Sequence, residues 1–169
     1  GHSGKIQLSA ADAAFAGAVD AAQLMANSAK KAGIDIEVVR EPNDGYWSNV
    51  WNNDAKGWCA CYWGGRPAET MMFSAAYVAE SKWNDTMWKT TDSAVKFNQL
   101  VKDARKELDE SKKRDILYEC QRLIYDDGGL LCPLFNSYVS ANSKKIAHGK
   151  IAANWDSDGA KCVERWWFA

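Results

Sequence analysis

Apolar and polar positions along the chain switch repeatedly between two periods. Over residues 5–9, Ile6 and Leu8 alternate with polar neighbours, which predicts a short strand. From Phe15 onward the apolar positions recur every three or four residues, through Ala18, Val19, Ala22, Met25, Ala26 and Ala29. That spacing predicts an amphipathic helix, with Ser9 and Asp12 as its start signal. Lys30 and Lys31 suit its carboxyl end, and Gly33 suits its termination. Residues 34–39 read as a β-branched strand, so the unit requires a crossover between parallel strands. A turn over residues 41–45 follows, with Asp44 expected to cap a short helix carrying Trp47, Val50 and Trp51. A loop over 52–57 then leads to a third strand beginning at Trp58.

The same periods continue in the second half. Pro67 at a first helical position predicts a helix through Met71, Met72 and Phe73. Residues 81–90 read as a loop anchored by Trp83 and Trp88. Two helices follow, one over 92–108 with Ala94, Phe97, Val101, Ala104 and Leu108 in register. The other begins at Ser111, with Ile116, Leu117, Cys120, Leu123 and Ile124 as its apolar face and Gly128-Gly129 as its stop. Residues 130–135 read as an apolar strand with Pro133 inside it, which suits an edge position, and 138–146 as another. Strands alternating with long amphipathic helices predict a three-layer α/β domain with a mostly parallel or mixed sheet. No repeat or linker divides residues 5–169, which read as one domain. Residues 1–4 read as the remnant of a cleaved tag.

Composition narrows the function. The net charge of −1 provides no electrostatic basis for nucleic-acid binding, and the lysines and arginines form no basic tract. Nine tryptophans is a high number for 169 residues, and more than half of them are expected to pack the interior. The five cysteines, Cys59, Cys61, Cys120, Cys132 and Cys162, include no CxxC pair. With only His2 and His148 beside them, no metal-ligand spacing emerges. The odd count leaves at least one free thiol, the pairing of the rest stays open, and small buried thiols are the expected fate. No run reaches membrane-spanning length, and no stretch of the sequence reads as a signal peptide, the natural start being expected to have been replaced by the tag. No nucleophile elbow, phosphate loop or dinucleotide fingerprint occurs, so neither an enzyme nor a cofactor is expected. Asp126-Asp127 before the Gly-Gly stop reads as a solvated helix end.

The candidate site is the stretch from Trp58 to Pro67. On an extended strand Cys59, Cys61 and Trp63 share one face, and Trp58, Ala60 and Tyr62 the other. Gly64 and Gly65 then offer backbone freedom and close approach to a ligand. Arg66 adds a planar fork that matches a carboxylate, and the amide end of the following helix favours an anion. Trp58, Tyr62 and Trp63 would wall an apolar or cationic portion. The competing reading is that Arg66 pairs with an acid of the same domain and that the aromatics fill the core.

The order of elements resembles the carboxy-terminal part of bacterial solute-binding proteins of the peptide/nickel/opine class, which serve ABC importers. The resemblance covers nearly everything from Lys5 to Ala169. It rests on Ala21-Ala22-Gln23-Leu24 leading to Lys31-Ala32-Gly33-Ile34-Asp35-Ile36-Glu37, and on Gly57-Trp58-Cys59-Ala60-Cys61-Tyr62. It rests further on Tyr118-Glu119-Cys120-Gln121-Arg122-Leu123, on Pro133-Leu134-Phe135 and on the ending at Trp166. The resemblance implies the second lobe of a type II periplasmic-binding-protein fold, with the first lobe missing. It implies capture of a small solute, such as a short peptide or amino-acid derivative, in the periplasm for delivery to a membrane permease. It also implies that a homodimer could form through the surface which the first lobe would cover. In peptide-binding members an aspartate on this strand holds the peptide amino group, and Cys61 stands at the matching position. The second expectation, of a different class, is an extracytoplasmic sensing domain that docks a partner receptor through exposed tryptophans.

Overall fold

The computed structural model describes residues 4–169. It is a mixed α/β structure built from helices and two small sheets. Strand β1 (Ile6–Ala10), helix α1 (Ala18–Lys30) and strand β2 (Ile36–Arg40) form the expected unit, with β1 and β2 parallel and Leu8 opposite Val38. Three alanines, Ala18, Ala22 and Ala26, are the buried positions of α1. Small side chains at four-residue spacing let the helix lie close on the sheet. The start signal differs from the expectation. Gly17, in a left-handed conformation, precedes the helix, and Asp12 Oδ1 accepts the Val19 N–H at 3.4 Å from outside it. Ser9 remains in β1 and donates to Glu41 Oε1 at 3.0 Å.

Helix α2 (Tyr46–Asn49) also begins after a left-handed glycine, Gly45, and not on an Asp44 side-chain cap. A 3₁₀ turn over Asp54–Lys56 occupies part of the expected loop. Helix α3 (Glu69–Ala76) starts two residues after Pro67. Helices α4 (Asp92–Lys106) and α5 (Glu110–Asp127) match the periodic reading, with Thr91 and Asp109 as side-chain caps. Phe97, Val101 and Cys120 are buried between them with Phe73, Tyr77, Leu123 and Ile124. Leu108 lies beyond the end of α4 and is 92% exposed.

The sheet is smaller than expected. The third strand reduces to a single parallel bridge between Ser9 and Cys59. Residues 130–142 form no strand, and Phe135 within them is 96% exposed. Leu131, Leu134 and Val139 are exposed as well. These residues have strand-forming character but lack a neighbouring ladder, and an extended segment without one stays unpaired. Of the expected strand over 138–146 only its last residue is in one, β3 (Ile146–His148). This strand pairs antiparallel with β4 (Trp166–Phe168). Between them lie a tight left-handed turn, α6 (Asp156–Ala160), and α7 (Cys162–Arg165). The buried Asp158 organises this unit, accepting from Ala152 N at 2.6 Å and Trp166 Nε1 at 3.0 Å, and pairing with Arg165 at 3.1 Å. The tag remnant read over residues 1–4 lies outside the described residues except for Gly4. Among the described residues no helix is long and apolar enough to cross a membrane.

The tryptophans are distributed otherwise than expected. Only Trp88 is buried, while Trp47, Trp83, Trp155 and Trp167 are exposed and the others half-buried. Trp88 Nε1 donates to Asp127 Oδ2 at 2.8 Å, and Thr91 donates to the same oxygen at 2.7 Å, with Ser93 beside it. Asp126 and Asp127 are exposed at the end of α5, as expected, and Asp127 in addition latches the start of α4. The Ser93, Thr91 and Trp88 donors hold its carboxyl below the ordinary value of 3.8. A depressed folded-state pKa stabilises fully above 3.8 and is lost as pH falls through the depressed value. Asp127→Asn is accordingly expected to lower the urea midpoint at pH 7, and the gap to the parent should narrow as pH falls below 3.8, read by tryptophan fluorescence.

Candidate functional site

The stretch after Gly57 runs beside β1 through two backbone bonds, Ser9 N to Trp58 O at 3.0 Å and Ala60 N to Ser9 O at 2.8 Å. Tyr46, fully buried, directs its hydroxyl at Ala60 O (2.6 Å) and Ser9 O (3.2 Å), which fastens α2 across both segments. Burial pushes this phenol above the ordinary tyrosine range, so it remains a donor. Ala60 packs on the β1–α1–β2 side, whereas Trp63 packs on the core between α3, α4 and α5. Four residues, Ala60 to Trp63, thus span from one half of the molecule to the other.

The expected alternation is present where the donors can be traced. Cys61 and Trp63 both reach one carboxylate, Asp85 Oδ2, at 3.6 and 3.2 Å. Trp51 Nε1 donates to the same oxygen at 2.7 Å. Tyr62 points away, 62% exposed, with its ring edge-on to Trp47 at 5.6 Å. Trp47 contacts Trp51 at 5.6 Å, and Trp51 stacks on Trp83 at 5.6 Å and 23°. The result is a half-exposed aromatic wall organised on one carboxylate. Trp58 separates from the rest and lines an open groove of about 490 Å³ with Tyr125, Asp126, Asp127, Gly129, Leu130 and Leu131.

Arg66 lies at the end of this wall. Its guanidinium is 6.0 Å from the Trp63 ring centroid and donates to Gly64 O at 2.6 Å and, at 3.4 Å, to Gly65 O. Among the described residues no carboxylate pairs with it. Two details differ from the expectation. Neither Gly64 nor Gly65 uses a left-handed conformation. Added Cβ atoms there would meet only Arg66 Nη1 at 3.5 Å and Tyr138 Oη at 4.0 Å, so the chain itself does not require glycine. The amide end of α3 begins two residues past Pro67, with Glu69 in its own first turn, and adds no anion site to Arg66.

All five cysteines are free thiols. Burial and then the Asp85 charge push Cys61 up to about 12, so it is a neutral donor and not a nucleophile. Cys59 is raised for the same reasons. The chain matches no family model and no curated protein.

Sequence reasoning missed Asp85, Trp51, Trp47 and Trp83 as members of the wall. Trp47 and Trp51 stand four residues apart on a short helix and its first following turn, a spacing that puts two indoles on one side. Asp85, two residues after Trp83 in a loop, carries no local signal of its three distant donors. At pH 7.5, iodoacetamide should label the exposed Cys132 first and Cys61 only on unfolding, as followed by peptide mass spectrometry. Equal labelling of both in the folded protein would contradict the geometry around Asp85.

Proposed function

We propose that this chain is the second lobe of a type II periplasmic-binding-protein fold. It acts as the substrate-binding component of an ABC importer, capturing a small solute such as a short peptide or amino-acid derivative. The lobe performs no chemistry. The observation that carries the reading is the unpaired Arg66 guanidinium at the end of a half-exposed aromatic wall. A half-buried cation without a carboxylate among the described residues is costly to hold unless an anion joins it. A planar fork suits a ligand carboxylate bidentately, and the side-chain-free Gly64-Gly65 leaves the main chain open to close approach.

Two further features support the reading. The parallel β1–α1–β2 unit with the single rung at Cys59 sets the wall beyond the carboxyl end of β1, where open α/β sheets carry ligands. The extended apolar residues 130–139 are of a kind that a first lobe or a further strand would cover. In this reading the whole protein is exported to the periplasm, the absent lobe supplies the opposite wall, and closure signals a membrane permease.

Calorimetric titration of the full-length protein with trialanine and with its carboxyl-terminal amide tests the role of Arg66. Arg66→Ala is expected to weaken binding of the acid by about tenfold or more and to change binding of the amide little. Equal affinity of the acid for both proteins would remove Arg66 from the site. Failure of the parent to bind either probe would reject the short-peptide reading.

A further inference from the structure

Among the described residues, no main-chain N–H or C=O from 129 to 142 bonds to another main-chain group. Every residue from 131 to 145 is exposed. The chain carries no charge from Gly128 to Ser143, while Asp126 and Asp127 precede this run and Lys144 and Lys145 follow it. The segment leans on the rest of the molecule at few points. Leu130 packs on the core of α3, α4 and α5, and Tyr138 Oη lies 4.0 Å from where a Cβ on Gly65 would stand. Phe135 and Val139 share one face of an extended chain and are 96% and 92% exposed.

An unpaired, uncharged extended segment is a template for another strand, because its free main-chain groups supply the bonds. The flanking charges say which strand. Lys144 and Lys145 have no carboxylate partner among the described residues. Asp126 pairs with Arg122 while Asp127 accepts from neutral donors, so the acidic end keeps a net negative charge. Parallel pairing of two copies in register would set acid on acid and base on base. Antiparallel pairing sets the acidic end of each copy beside the basic end of the other. Asp126 and Lys144 stand nine positions to either side of Phe135, so a twofold axis at Phe135 matches them. In that register Phe135 meets Phe135 of the second copy, and Leu131 meets Val139 of the second copy. Pro133 is accommodated as well. With the two Phe135 residues in a non-hydrogen-bonded pair, Pro133 occupies another such pair, and its missing N–H costs the ladder nothing.

We propose that residues 131–139 are a self-pairing strand through which two copies of this chain form a twofold, antiparallel dimer. The inference does not depend on Arg66 or on the solute reading of the aromatic wall. The second copy supplies the further strand that this segment lacks. Cross-strand contacts of Phe135 with Phe135 and of Leu131 with Val139 contribute the apolar burial. The flanking charges set direction and register. A two-stranded ribbon is marginal by itself, so the dimer is reversible and depends on concentration.

Sedimentation equilibrium of the 169-residue chain under reducing conditions, from low to high micromolar concentration, tests the pairing. The expected result is a monomer–dimer equilibrium. Its dissociation constant should rise about tenfold or more in Phe135→Lys at an unchanged melting temperature. Lys144→Glu should weaken the dimer as well, and adding Asp126→Lys to it should restore the dimer, because opposite charges then meet again. In a Cys132→Ser background, Phe135→Cys should form a disulfide between copies on mild oxidation, read as a 135-to-135 link by peptide mass spectrometry. Ser140→Cys should not, since in this register its two copies stand ten positions apart. A monomer at every concentration would overturn the inference and leave the segment to a different chain. A dimer that survives both Phe135→Lys and Lys144→Glu would overturn it too, as would assembly beyond two copies. If Phe135→Lys lowers the melting temperature, the charge-reversal pair decides, and failure of the second change to restore the dimer counts against the pairing.

Discussion

A single oxygen, Asp85 Oδ2, joins three parts of the chain that are distant in sequence: the turn after α2, the stretch around Cys61 and Trp63, and the loop before α4. Hydrogen bonds to a charged acceptor are stronger than neutral ones, and sharing one acceptor makes each donor position depend on the others. Tyr46 makes a second junction on the opposite side, where its hydroxyl ties α2 to β1 and to Ala60. The stretch between these two junctions is thereby held without a strand ladder. It can present side chains on both faces and still be fixed in place.

That constraint explains the exposure of so many indoles. A buried tryptophan needs a partner for its N–H, and Trp88 finds one in Asp127 at the exposed end of α5. Trp51 and Trp63 find theirs at Asp85 near the surface, so their rings stay at the rim, where Trp51 stacks on Trp83 and meets Trp47 and Trp63 edge-on. The aromatic area remains available to a ligand because the polar ends of the rings are already satisfied within the chain. Arg66 is the complement of this arrangement, a charge whose hydrogen bonds among the described residues go to the carbonyls of its own loop.

Much of the fold is legible in the sequence because it is set by local period. The alanine face of α1, the Phe97–Val101 face of α4 and the Cys120–Leu123–Ile124 face of α5 follow directly from spacing. The strands expected from Trp58 onward, over 130–135 and over most of 138–146 are the misreadings. Their composition is that of strands, yet strand formation depends on a partner ladder that composition cannot supply. The site was half legible. Arg66 and the alternation of Cys61, Tyr62 and Trp63 were evident, since both follow from neighbouring residues. Asp85 was not, because its role arises from three contacts spanning 22 to 34 positions. Caps were misassigned where left-handed glycines, Gly17 and Gly45, took the place of Ser or Asp side chains.

The central claim is that the wall from Cys61 to Arg66, with Asp85 behind it, is one side of a cleft for a small solute that carries a carboxylate. Mass spectrometry of the small molecules released on denaturing the full-length protein, purified without added ligand, tests this most directly. The account predicts one retained compound in near-stoichiometric amount, carrying a carboxylate in its fragmentation pattern. A retained compound lacking a carboxylate, or a protein that carries no solute and takes up none from a mixture of amino acids and short peptides, would contradict it.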